Sequence, residues 1–383
     1  MSKANPANPP SSGTTWRFIA SVLVKALLLF AALNLLFAAW YPMAGLGRIS
    51  GYNLLFPGRL RFPFGEVPAQ AYNLSLYNVE AMFSSLALNA QPKAADEYRV
   101  LVIGDSSVWG TLLRPGETIP GVLDAARLQL CGKTARFYNL GYPTLSVTKD
   151  LMVLEEAVRY QPDHILWLVT LEGMARDTQI SSSPVLANNA ARARDLIRRH
   201  NLALDPADKR LSEPDFWGRT LIGQRRALAD LIRLQLYGAL WGATGIDQVY
   251  PARYTPAQRD FEAGNTAFHG QNGPSLAPDT LALEVIAAGM RVAGSVPVTL
   301  VNEPILISAG RNSDVRYNFF YPRWAYDQYR QQMAQAAQAS GWTYLDLWDA
   351  APESAFTNSA IHLTPAATAE LARRIGAEVG CGK

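Results

Sequence analysis

The sequence predicts an α/β fold built on a parallel sheet, joined to one N-terminal helix long enough to cross a membrane. Three observations carry that prediction. From Tyr98 to the C-terminus, short apolar runs alternate with amphipathic helical stretches. The runs are continuously apolar, as strands are when helices cover both faces. Near the start, the segment from Phe18 to Trp40 is apolar except for Lys25 and Asn34.

The elements can be taken in chain order. Residues 1–15, rich in Pro, Ser, Asn and Gly, read as a disordered tail. Residues 16–41 read as a transmembrane anchor: at about 1.5 Å per residue, Phe18–Trp40 reaches roughly 34 Å, enough for a bilayer core. Trp16 at one end, with Trp40 and Tyr41 at the other, forms interfacial belts, and Lys25 can snorkel. The stretch is long for a signal-peptide core and no Ala-x-Ala site follows, so an uncleaved anchor is expected. Lys3 and Arg17 before it, and Arg48, Arg59 and Arg61 after it, leave the orientation open. Residues 42–96 scatter Gly, Pro and Asn without a period and read as a membrane-proximal connector.

Strand candidates then occupy 98–104, 135–141, 164–170, 296–302 and 342–347. Between them lie helical patterns: Thr118 to Cys131 with Gly132 as a stop, 148–160, and 323–340 ending before Gly341. The last helix opens at Thr364-Pro365 and places Leu371, Ile375 and Val379 on one face. Between the third and fourth strands lies far more chain than a crossover needs, and about 115 residues of it, over 178–294, read as a helical insertion. Its stretch LIRLQLYGALWG, 231–242, is too short to span a bilayer. It is apolar enough to lie on one, to dock a partner helix, or to pack on the domain's own core.

Composition narrows the function. With 49% hydrophobic and 17% charged residues, the chain can bury a core and general disorder is excluded. A net charge of +3 without a dense basic run argues against nucleic acid as a partner. HExxH, CxxC and histidine clusters are missing, as are GxGxxG and GxxxxGK[ST], so neither a metal nor another cofactor is expected.

In open α/β sheets, ligands bind beyond the carboxyl ends of the strands. The residues there are Gly104-Asp105-Ser106-Ser107, Asn139-Leu140-Gly141-Tyr142, Leu171-Glu172-Gly173, Asn302-Glu303-Pro304, and FTNSAIHLTP over 356–365. A serine at a strand-to-turn corner, with a histidine from a distant loop at the same edge, suits nucleophilic catalysis: the hydroxyl needs a base to take its proton. Of the four histidines, His164 starts the third strand and His200 and His269 lie in the insertion. Only His362 stands at the carboxyl edge.

Gly104-Asp105-Ser106, Gly141 after the second strand and His362 in an HLTP context resemble the SGNH (GDSL) hydrolase superfamily, over about 97–383 with the insertion unmatched. The resemblance implies a three-layer flavodoxin-like fold, with Ser106 as nucleophile and His362 as base. It also implies an oxyanion hole from the N–H groups of Ser106 and Gly141. The anchor, the connector and the VNEP stretch resemble a branch found in cell-envelope glycan O-acylation, whose members work beside membrane-bound O-acyltransferases. That branch implies a single-pass cell-membrane protein with an extracytoplasmic domain, a glycan substrate and an acyltransferase partner.

Two positions depart from the family pattern. Glu172 stands nearest to the place of an oxyanion-donating asparagine, and Asn358 and Ser359 stand where an aspartate should precede His362. Asn358 would then hold the imidazole, with Asp346 as an alternative acid. Asp105 reads as a turn cap or a substrate contact; Asn302 and Glu303 read as strand-end caps or substrate contacts. The role preferred is O-acyl transfer, of an acetyl group for choice, to or from an envelope polysaccharide through acyl-Ser106. The alternatives are hydrolysis by an anchored esterase, and a catalytically silent fold that binds glycan or scaffolds the acyltransferase. In a flavodoxin-like order the first and last helices lie side by side with their C-termini at one edge. That order predicts a Cys131–Cys381 disulfide and hence an oxidising compartment.

Overall fold

The computed structural model describes residues 12–56, 58–64, 78–182, 184–244, 250, 253–262 and 264–380. Its sheet contains β1 (Glu97–Gly104), β2 (Gln129–Leu130), β3 (Lys133–Gly141), β4 (His164–Val169), β5 (Val298–Asn302) and β6 (Thr343–Asp346) in the order β2-β3-β1-β4-β5-β6. All neighbours pair parallel except the β2–β3 hairpin. Numbered along the chain, the parallel strands lie 2-1-3-4-5, the flavodoxin-like order. The helices that matter below are α1 (Ser12–Trp40), α2 (Ser106–Trp109), α3 (Ile119–Ala125), α4 (Val147–Ala157), α5 (Arg225–Thr244), α6 (Leu283–Ala293), α7 (Arg323–Ser340) and α8 (Pro365–Glu378).

Alternation along the central strands builds a core on each face of the sheet. Leu101, Ile103, Ile165 and Trp167 point to one side, where α4, α6 and α7 cover them with Leu151, Ile286 and Tyr329. Val100, Val102, Leu166 and Leu168 point to the other, under Leu123 of α3 and Leu371 and Ile375 of α8. Three layers follow from strands that are apolar on both faces. The expected caps are in place: Thr118 accepts from the Gly121 N–H, Thr364 accepts from the Ala367 N–H ahead of Pro365, and Gly341 ends α7 at φ 69°.

Some boundaries differ from the sequence reading. Helix α3 ends at Ala125, and residues 129–134 fold back as a hairpin that leaves Cys131 in a left-handed turn at φ 53°. Cys131 therefore does not end a helix. The first and last helices do lie side by side: a Cβ on Gly376 would come 2.8 Å from Leu123. Cys381 falls outside the described residues, so its pairing with Cys131 stands as a proposal. Helix α6, assigned above to the insertion, belongs to the core, because Gly289 lets it approach the Trp167 ring. Helix α1 already begins at Ser12; the rest of the expected tail, and 65–77 of the connector, fall outside the described residues.

By its contacts the chain forms two compact units, Met1–Gly45 with Pro214–Ala229, and Leu46–Glu213 with Asp230–Lys383. In the first, the stretch Thr15–Trp40, with mean hydropathy 2.3, is long and apolar enough to cross a membrane. There the Ile222 N–H donates to Asn34 Oδ1 at 3.2 Å, which gives a polar side chain in the C-terminal half of the stretch a partner. The second unit contains the sheet.

In that unit the strand-end corner after β1 is packed against β3. An added Cβ on Gly141 would sit 2.3 Å from the Trp109 backbone nitrogen and 2.8 Å from the Val108 carbonyl carbon. Gly141 is thus required where α2 crosses β3. Gly141→Ala should lower stability by about 1–3 kcal/mol through overpacking. A shift of the denaturation midpoint checks this, and an unchanged midpoint would contradict the close approach.

Candidate active site

Strand β1 ends at Gly104, whose carbonyl accepts a hydrogen bond from Lys149 Nζ at 2.8 Å. The same ammonium donates to the Tyr142 carbonyl at 3.1 Å and lies 2.5 Å from Asp150 Oδ1, all out of contact with water. Asp105 caps the short helix α2, its Oδ1 accepting from the Ser107 N–H at 2.9 Å. The other end of α2 is pinned from two directions. Asn139 Nδ2 donates to the Val108 carbonyl at 2.8 Å. Buried Arg61, from the connector, donates to the carbonyls of Trp109, Gly110 and Leu113 at 3.0, 3.0 and 2.9 Å, with its guanidinium 4.0 Å from the Trp109 ring.

The corner presents Ser106 to His362. His362 Nε2 lies 2.8 Å from Ser106 Oγ, and Nδ1 lies 2.8 Å from Asn358 Oδ1. With the amide oxygen accepting, Nδ1 carries the ring proton and Nε2 is left to accept from the serine hydroxyl. The loop that delivers the histidine is tied down: the Thr357 N–H donates to the His362 carbonyl at 2.9 Å, and the Leu306 N–H to the Ala360 carbonyl at 2.7 Å. Burial pushes the imidazole down to about 4, so at neutral pH it is an unprotonated base.

Ser107 has a different partner. Its hydroxyl donates to Glu303 Oε2, while Glu303 Oε1, also buried, has no hydrogen-bond partner. Burial first, and then the charge of Asp105, pushes Glu303 well above the ordinary carboxylate range; burial raises Asp105 as well. Burial and the mutual repulsion of the two carboxyls therefore act on them as a pair, with Glu303 driven upward the further. Ser106, Ser107, Glu303 and His362 line one small cavity, walled by Leu113 and Leu371. Beyond Asn358 opens a broader cleft of about 480 Å³, lined by Tyr254, Thr255, Gln258 and Phe319.

The other expected site residues fall elsewhere. The Gly141 N–H donates to Asn139 Oδ1 at 3.0 Å and so is not aimed at an oxyanion. Asn302 is wholly buried; its Oδ1 accepts from Tyr326 and Tyr329 at 3.2 and 3.1 Å and its Nδ2 donates to Asp346 at 2.8 Å, so it is no substrate contact. Asp346 is bound to Asn302 and Arg330, and the partner on His362 Nδ1 is Asn358. Glu172 receives His269 at 3.1 Å, and that histidine also meets Asp177 at 2.9 Å; hydrogen bonding to Glu172, then to Asp177, raises it to about 9. Glu172 clasps the insertion to the strand end and donates to no oxyanion. Lys149, Arg61, the Ser107–Glu303 pair and His269 escaped the sequence reading. One signal was available: Lys149-Asp150 interrupts an otherwise apolar helix face, which is costly unless both charges are paired inside. Among the described residues, no cluster of three or more His, Cys, Asp or Glu side chains could hold a metal ion.

No protein-family model matches the chain, and the search of curated proteins returns no match. Among solved structures it is similar to a lipolytic protein of the G-D-S-L family from Veillonella parvula, at 10% identity, covering 73% of this chain and 99% of that one, with TM-score 0.34. A carbohydrate acetylesterase family member from Sinorhizobium meliloti is similar at 13% identity, over 73% and 96% of the two chains, with TM-score 0.31. An inhibitor-bound aryl esterase of M. smegmatis gives 11% identity, 73% and 97%, and TM-score 0.30. Strands, layers and crossovers here are those of a flavodoxin-like α/β fold, and the chemistry of the site is argued from its own geometry.

The imidazole's environment sets a pH signature. An anion at 358 would favour the imidazolium, so Asn358→Asp should move the acidic limb of Ser106 acylation from about 4 up toward the ordinary histidine range. It should also accelerate acylation at neutral pH by about tenfold or more, in the direction of the protease case in which the reverse exchange is costly. The pH dependence of fluorophosphonate labelling checks both; an unmoved limb would show that Asn358 does not govern the base.

Proposed function

We propose that this protein is a membrane-anchored, extracytoplasmic acyl-ester enzyme that transfers an acyl group, an acetyl for choice, through Ser106 to a hydroxyl of an envelope glycan. The observation that supports this reading most is the hydrogen-bonded line Ser106–His362–Asn358 opening on a cavity. As the ester carbonyl is attacked by Ser106 Oγ, the hydroxyl proton passes to His362 Nε2. The departing alkoxide then takes that proton, leaving an acyl-serine. In the second half the acceptor hydroxyl gives its proton to Nε2 and attacks the acyl carbon, and Ser106 Oγ leaves with the proton.

Of the expected oxyanion donors, the Ser106 N–H remains. Glu303, which lines the same cavity and is pushed well above the ordinary carboxylate range, is the side chain we assign to contact the acyl group. Asn358 orients the imidazole but offers no charge to its cation, so both half-reactions are slow with water as acceptor. A bound sugar hydroxyl gains effective concentration, which favours transfer over hydrolysis. The cleft beyond Asn358, with exposed Tyr254 beside amide and hydroxyl side chains, has the chemistry of a saccharide site. On this reading a membrane-bound acyltransferase supplies the acyl group from within the bilayer.

Small acyl esters should therefore turn over slowly in water, and an oligosaccharide acceptor should speed loss of the acyl group. Tyr254→Ala should remove the acceptor effect while leaving the basal rate. Fast hydrolysis indifferent to acceptor would instead support an anchored esterase, and an inert wild type would support a silent scaffold.

A further inference from the structure

Helix α5 is apolar on two opposite faces. Leu234 and Gly238 are buried, and Leu234 packs against Ala81. Roughly half a turn around the helix, Ile232, Leu236 and Leu240 repeat at every fourth residue and are exposed at 61%, 64% and 57%. The docking stretch read from the sequence thus does not pack this face on the domain's own core. The face continues onto the connector. Gln235 Nε2 donates to the Ile49 carbonyl at 2.8 Å and its Oε1 accepts from the Gly51 N–H at 2.6 Å, which lays residues 49–51 alongside the helix. Ile49, Leu54 and Leu55 there are exposed at 55%, 88% and 74%. Scattered exposed leucines are ordinary; a contiguous aliphatic surface across two segments marks an interaction.

Two arguments select the occupant. The chain from Trp40 to Ile49 reaches at most about 32 Å even when fully extended, so the surface is tethered close to the end of the apolar span. Its exposed apolar groups are aliphatic, flanked by exposed Arg48 and Arg233. Protein hot spots favour Trp, Tyr and Arg, with Leu under-represented, whereas an aliphatic helix face bordered by arginines matches a lipid interface with phosphate headgroups.

We propose that the outer face of α5, with residues 49–55, lies in the interfacial layer of the bilayer as a second, non-spanning membrane contact. This rests on the reading of α1 as a membrane span. The two can be separated with full-length protein in nanodiscs of phosphatidylethanolamine and phosphatidylglycerol, carrying photoreactive benzoylphenylalanine at one position at a time. Position 236 or 240 reports the surface, position 29 the span, and exposed position 339 at the end of α7 is the control. Lipid adducts at 29, 236 and 240, in several-fold excess over 339, are the expected result. Adducts at 29 with 236 and 240 no better than 339 would overturn the surface contact alone. Absence of lipid adducts at 29 would overturn the span and the proposal with it. In native membranes, a protein adduct replacing lipid at 236 would overturn it in favour of a partner helix.

Discussion

A buried ammonium organises this site. Lys149, wholly removed from water, holds the carbonyl at the end of β1 and that of Tyr142 just past β3 while paired with Asp150. Burying a lysine costs several kcal/mol unless it is paired and hydrogen-bonded, and here two carbonyls accept from it while Asp150 pairs with its charge. The result fixes the geometry of the switch point between β1 and its neighbours, where an α/β sheet opens its crevice. Asn139 and Arg61 extend the same logic along α2, each satisfying carbonyls that a four-residue helix leaves unpaired. Ser106 is therefore presented by backbone that distant segments hold from below, which is the preorganisation a nucleophile requires.

Division of labour between the adjacent serines comes from their partners. Ser106 faces an imidazole that burial keeps neutral, and Ser107 faces a carboxyl that burial and Asp105 push well above the ordinary carboxylate range. Both shifts disfavour charge in the site, because burial acts against the ionised form of each group. The site is poorly suited to stabilising a lasting imidazolium, because Asn358 contributes a dipole and no charge. The connector takes part in this arrangement through Arg61, which donates to the carbonyls of Trp109, Gly110 and Leu113.

Sequence pattern revealed what depends on local periodicity. Continuous apolar runs located the long strands within a residue or two, and Ser106 and His362 followed from their places at the carboxyl edge. Roles that depend on partners far away in the chain were not legible. Asn302 stands at a strand end like a ligand-binding residue, but Tyr326 and Tyr329 of α7 bury it. Gly141 occupies a plausible oxyanion position, but Asn139 takes its N–H. Glu172 is occupied by His269, a residue from the insertion that no spacing rule links to it. The end of α3 was misread because Gln129–Leu130 forms a hairpin with Lys133–Thr134, a pairing that competes with the helical pattern.

The central claim is that Ser106 becomes acylated, and mass spectrometry tests it most directly. Full-length protein incubated with an activated acyl ester should gain the mass of one acyl group. Peptide mapping should place it on Ser106, with the adduct retained in Ser107→Ala and lost in Ser106→Ala. An adduct on Ser107, or equal acylation of the Ser106→Ala protein, would contradict the account.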